Sequence, residues 1–196
     1  VDFSSANILL ESFSLLIERA NENDEKQLMQ FLDIHVFSLI NFVNNRNNDP
    51  SEGIDFGFKW LMTVLAAYTA LSSILNKLRV LDHLQPDIIT HECIQKTIRF
   101  KLERPGGLSE AEWDQWPEFV TAFTASKWKC VESMSQCLLT SSNPREELLG
   151  ILAACLQALE VSKYGGTLSI LKCMSTLFDS IFNLISADAD NREGIF

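Results

Sequence analysis

Residues 144–164 carry apolar side chains on nearly every side of a helix: Leu148, Leu149, Ile151, Leu152, Cys155, Leu156 and Leu159. At 3.6 residues per turn one neighbour cannot cover such a surface, so the segment demands packed partners on both sides. Residues 54–82 make the same demand over a longer stretch. No segment between turn signals alternates apolar and polar residues as a half-buried strand would. A chain with two such helices must stack further helices around them.

The remaining segments supply those helices. A first helix, capped by Ser4 or Ser5 and running to about Asn21, aligns Ile8, Leu9, Phe13, Leu16, Ile17 and Ala20. A second, capped by Asp24, aligns Leu28, Phe31, Leu32, Val36, Leu39, Ile40 and Val43 and ends near Asn44. The stretch from Asn44 to Gly53 has five Asn or Asp residues before Pro50 and reads as an exposed, mobile loop. Pro86 marks the first turn of a helix to about Glu103, whose inner positions are Ile88, Ile89, Ile94, Ile98 and Leu102.

Arg104-Pro105-Gly106-Gly107 is a break, and Ser109 with Glu112 then forms a capping box. Because Pro117 fits only a first turn, a short turn of helix is expected here, with a restart near Asp114 that runs to about Thr140. Asn143 as cap and Pro144 as first residue open the next helix, and Gly165-Gly166 closes it after Tyr164 in a left-handed cap. From Thr167 a last helix lines up Ile170, Leu171, Met174, Leu177, Phe178, Ile181, Phe182 and Ile185 as one stripe. Residues 187–196 read as a flexible tail.

The fold expected is therefore all-α: about seven antiparallel helices, stacked as hairpins in the manner of an α-solenoid or closed into one bundle. One helical domain covers residues 1–186, and a chain that starts at Val1 reads as a piece of a larger protein. The paired helices 144–164 and 167–186, their Gly165-Gly166 hinge, and the capped starts at Ser109 and Asn143 resemble an armadillo- or HEAT-type α-solenoid. That resemblance implies a scaffold that binds other proteins along an extended face.

Charge narrows the partners. Of 196 residues, 16 are Lys or Arg and 26 are Asp or Glu, a net charge of −10 that argues against a polyanionic nucleic acid. Five cysteines, an odd number set inside apolar helical patterns, suit buried thiols better than a secreted disulfide framework. With no Asn-x-Ser/Thr acceptor and no signal peptide, they point to the cytosol or nucleus. The seventeen uncharged residues from Trp60 to Asn76 include Thr63, Thr69, Ser72 and Ser73 and fall short of a span, so a buried helix and no membrane crossing are expected.

The sequence carries no recognisable catalytic or metal-binding motif. His35, His83 and His91 are dispersed, and His91 and Cys93 point to different faces of one helix. There is no Cys-x-x-Cys, no His-Glu-x-x-His and no Gly-x-Ser-x-Gly, and neither Gly-Gly pair precedes the Lys-Ser/Thr of a phosphate loop. Carboxylate pairs such as Glu146 and Glu147 sit in first turns, where they serve the helix dipole. The expectation is a protein that is not an enzyme and holds no cofactor or metal.

Two groups of residues are candidates for binding. Trp113 and Trp116 flank a polar helix entry, where Trp either anchors a partner or staples the helix onto the core. Lys96, Arg99, Lys101 and Arg104 fall within nine residues, as an acidic-partner site or a solvated helix end. Trp60 and Trp128, deep in helices, read as core. The functional expectation is a non-catalytic interaction scaffold that receives a partner peptide or helix along a groove. The alternative is a helical bundle carrying a lipid, suggested by 13 Phe and two helices apolar all round.

Overall fold

A computed structural model describes residues 57–80, 89–162 and 164–193, together with the isolated helical positions Ser12 and Leu15. The two helices expected before residue 45, the loop from Asn44 to Gly53, His35, His83 and Pro86 lie outside these residues. Five α-helices form among the described residues: α1 (Gly57–Val80), α2 (His91–Arg99), α3 (Glu110–Cys137), α4 (Pro144–Glu160) and α5 (Tyr164–Glu193). A 3-10 turn, Leu138–Thr140, links α3 to the loop before α4. The described part is all-helical, with no strand.

Local chemistry sets the ends. Thr90 accepts a hydrogen bond from the Cys93 backbone N–H (3.2 Å) and starts α2 several residues after the proline expected to open it. At α3 the reciprocal box is made: the Ser109 hydroxyl accepts from the Glu112 N–H, and the Glu112 carboxylate accepts from the Ser109 N–H (2.9 Å). Those bonds to the ionised form hold the Glu112 carboxyl below its usual range. Gly107 (φ 74°) provides the left-handed turn that aims the chain into this start.

Three local expectations are corrected. α3 does not break near Asp114 but runs unbroken through Pro117. The proline sits on the exposed face, while Trp116 (5.5 Å from Phe119) and Phe119 (4.9 Å from Phe58) anchor the turn around it. Asn143 and Pro144 do stand at the N-cap and first position of α4 as expected, the Asn143 amide donating to the Glu146 carboxylate rather than its oxygen accepting from the backbone. Gly165 and Gly166 do not close α4, which ends at Glu160. They lie in the first turn of α5, and neither has positive φ. The backbone then stays helical to Glu193, beyond Ala187 where the sequence places a tail.

The contacts define two rows. Phe58 meets Phe119, Tyr68 meets Phe123 (5.6 Å), and Ser72 bonds Ser133 (2.9 Å), so α1 and α3 run parallel. Thr124 lies beside Gly166 and Gln136 donates to Ser180 (2.9 Å), so α5 continues that direction on the other side of α3. α2 is antiparallel to α3: Cys93 touches Met134, and Lys127 reaches Ile98 and Phe100. α4 is antiparallel to α5 across a tight turn in which the Ser162 and Thr167 hydroxyls bond each other (2.9 Å). α2 and α4 therefore form a second row, joined where His91 lies against Gly150.

The core runs between the rows through Leu71, Ile74, Ile94, Phe123, Met134, Leu148, Ile151 and Leu177. Lys127 is buried within it. Its ammonium donates to the carbonyls of Ile98 (2.8 Å) and Phe100 (2.7 Å), groups at the end of α2 that the helix itself leaves unpaired. Burial lowers the Lys127 pKa to about 8. This lysine clamps the C-terminus of α2 onto α3.

Candidate interaction surface

The single stripe expected on the last helix is two stripes. Ile170, Cys173, Met174, Leu177 and Ile181 face the core and are buried. Leu171, Phe178 and Phe182 are 47%, 53% and 68% exposed and, with exposed Leu168 and Ile185, form a second face turned away from α3 and α4. On α4, Leu148, Ile151, Leu152 and Cys155 are buried, while Leu149 and Leu156 are exposed. The segment that demanded partners on two sides packs against both α2 and α5 among the described residues, yet Leu149 and Leu156 stay uncovered. Burying a Leu or Phe side chain is worth about 1.5–3 kcal/mol, so this face of the α4–α5 hairpin leaves a large apolar contribution unrealised.

The residues singled out from sequence separate. Trp116 turns inward, half-buried against Phe58 (6.2 Å) and Phe119, as a staple for the helix start. Trp113 stays exposed, and the Arg104 guanidinium stacks over its ring at 4.3 Å. That contact joins one member of each group across the Gly106-Gly107 turn and is worth about 0.5–1 kcal/mol at an exposed position. Lys96 pairs with Glu92 (3.0 Å) and Arg99 donates to Gln95 (3.0 Å), each within its own helix. Lys101 lies on the exposed loop after α2. These four cations do not converge on one point. Trp128 is buried as expected, and Trp60 is half-buried against Phe100 (6.3 Å).

Among the described residues no three His, Cys, Asp or Glu side chains are grouped to hold a metal ion. All five cysteines are buried, and none forms a disulfide. Cys155 of α4 and Cys173 of α5 share a hydrogen bond that lowers the pKa of the first and raises that of the second. Burial pushes Cys130 up, and Cys137 up to about 12. A shallow groove of about 450 Å³ runs along α3, lined by Pro117, Glu118, Thr121, Ala122 and Ala125. It lacks the converging polar groups that orient a small ligand.

Comparison with known protein families, with curated proteins and with solved structures finds no match. The resemblance to armadillo and HEAT solenoids therefore rests on the helical pattern itself.

One expectation about partners is overturned. A protein or peptide partner with no nucleic acid and no membrane span is expected from the charge balance and from residues 60–76, which by themselves are too short to cross a bilayer. The helix there starts earlier, at Gly57, and the apolar stretch Gly57–Lys77 has 21 residues; Gly166–Ala187 has 22. Both are long and apolar enough to cross a membrane, by length and composition alone. They differ in cover: 67% of the first window is buried inside the fold, and 33% of the second. The exposed part of the second is the outward face of α5, which sequence reasoning missed because the two stripes merge in the pattern.

Proposed function

We propose that this protein is a non-catalytic helical scaffold, a short stretch of α-solenoid, whose outward α4–α5 face receives a further helix. The observation that carries this reading is the face itself. In a stack of hairpins each layer buries one apolar side against the next, and a layer that ends a stack has a polar outer side. The α4–α5 layer instead exposes Leu149, Leu156, Leu168, Leu171, Phe178 and Phe182. The two-row order, with α1, α3 and α5 parallel and α2 and α4 opposed to them, supports the solenoid reading. The occupant is an amphipathic helix, because exposed residues recur along α5 with a period near 3.5, the spacing of helix-on-helix packing.

Selection from a displayed library of defined helical peptides tests this. Peptides with apolar residues at heptad spacing are expected to be enriched on the wild type and lost on the double variant Phe178→Asp, Phe182→Asp. Equal enrichment on both proteins would overturn the reading. A second reading, apposition of α5 to a lipid surface, is favoured by the apolar length of Gly166–Ala187.

A further inference from the structure

The pattern on α5 specifies more than a helix. Leu168, Leu171, Ser175, Phe178, Phe182 and Ile185 are all exposed and follow one another at intervals of 3, 4, 3, 4 and 3 residues, an unbroken a/d seam. It is about 26 Å long at 1.5 Å per residue. We infer that the occupant of this seam is α5 of a second copy of the chain, packed antiparallel about a two-fold axis near residues 176 and 177. The inference rests on the helix-receiving reading above and names its partner.

The register follows from the sequence. Laid antiparallel on itself, the seam forms complete layers: Leu168 opposite Ile185, Leu171 opposite Phe182, and Ser175 opposite Phe178, each occurring twice. Small Ser175 meets a large ring, which lets the two helices approach at their centre. Two exposed charges flank the seam on one side, Lys172 and Asp179, each directly following a seam residue. In the antiparallel arrangement both fall between the layers of residues 171 and 175, so Lys172 of each copy meets Asp179 of the other. A two-fold contact requires such self-complementarity.

Parallel pairing lacks it. The positions that would face these charges are then Thr167, Met174 and Ile181, two of them buried in the core of their own chain. Antiparallel pairing thus covers the apolar seam and neutralises its flanking charges together. A single helix pair buries less than the roughly 800 Å² per partner of a standard interface, so dissociation in the micromolar range is expected.

Sedimentation equilibrium on the full chain, with charge-swapped variants, tests the inference. Wild type is expected to show a monomer–dimer equilibrium, and Phe178→Asp with Phe182→Asp to sediment as a monomer with an unchanged circular dichroism spectrum. Lys172→Asp alone places like charges opposite each other twice and is expected to weaken the dimer about tenfold. Adding Asp179→Lys restores opposite pairs and with them the wild-type affinity. A monomer at all concentrations, or a double swap no tighter than the single one, overturns the second copy. If that monomer still selects heptad peptides on the same face, the helix-receiving reading survives. Flotation of wild type, but not the Phe178, Phe182 variant, with neutral phosphatidylcholine vesicles overturns both.

Discussion

α1 and α5 have nearly the same apolar length, and each is long enough to cross a bilayer, yet they occupy the fold in opposite ways. α1 is buried over most of its surface, and its polar side chains are accommodated. Thr69 bonds Ser126, Ser72 bonds Ser133, and Ser133 also reaches Asn76, so hydroxyls pair across the α1–α3 contact without interrupting it. α5 buries one face and exposes the other. Composition alone does not distinguish the two helices. What differs is the number of faces that have neighbours among the described residues, and that number separates a core helix from one that leaves an apolar face open.

The sharpest way to break this comparison is to remove one ring from each environment. Phe123 is 1% exposed and packs on Tyr68, Phe100 and Phe119. Phe123→Ala should cost about 3–5 kcal/mol by urea denaturation. Phe182→Ala, at dilutions where the chain is a monomer, should stay within about 0.5 kcal/mol of wild type. A large loss from Phe182→Ala would mean that the outer face is already covered within the monomer.

The second effect is smaller and concerns the buried clamp. Lys127 ionises at about 8 in the fold and at 10.5 in a free lysine. Below pH 8 folded and unfolded chains both carry the proton, and the full cost of burying it is present. Between those values only the unfolded chain binds it, so stability rises with pH. Relative to Lys127→Met, wild type should gain about 1 kcal/mol between pH 8 and 9. Measuring the difference between the two proteins removes the opposing effect of buried Cys130 and Cys137, whose thiols stay protonated where unfolded ones ionise.

The smallest effect probes the join between the rows. A Cβ on Gly150 would sit 2.6 Å from the His91 ring nitrogen, so Gly150→Ala must displace that ring. Alanine is better than glycine inside a helix by about 1 kcal/mol, and in wild type the two effects offset. In a His91→Ala background the clash is gone, and Gly150→Ala should stabilise by about 1 kcal/mol. No coupling between these positions in thermal melts would contradict the close α2–α4 approach.

Much of the helical layout was legible in sequence where side chains act on their own backbone. The Ser109–Glu112 box, the Pro144 start and the break at Arg104–Gly107 all depend on neighbours within a few residues. Errors arose where a tertiary contact outweighed a local rule. Pro117 is carried through α3 because Trp116 and Phe119 are held on Phe58, and Gly165-Gly166 is drawn into α5 because the turn forms earlier. The candidate surface was hardest to see. Period-3.6 reasoning groups Ile170 with Leu171 and Ile181 with Phe182, and only the packing of α3 and α4 against one side separates them.

The central claim is that the outer face of α5 is covered by a helix from a second copy. Hydroxyl-radical footprinting of the intact chain over a range of concentrations reads that cover directly, with exposed Trp113 as internal reference. The account predicts that oxidation of Phe178 and Phe182 falls as concentration rises through the micromolar range, while Trp113 oxidation stays constant. Oxidation of all three at concentration-independent rates would contradict it.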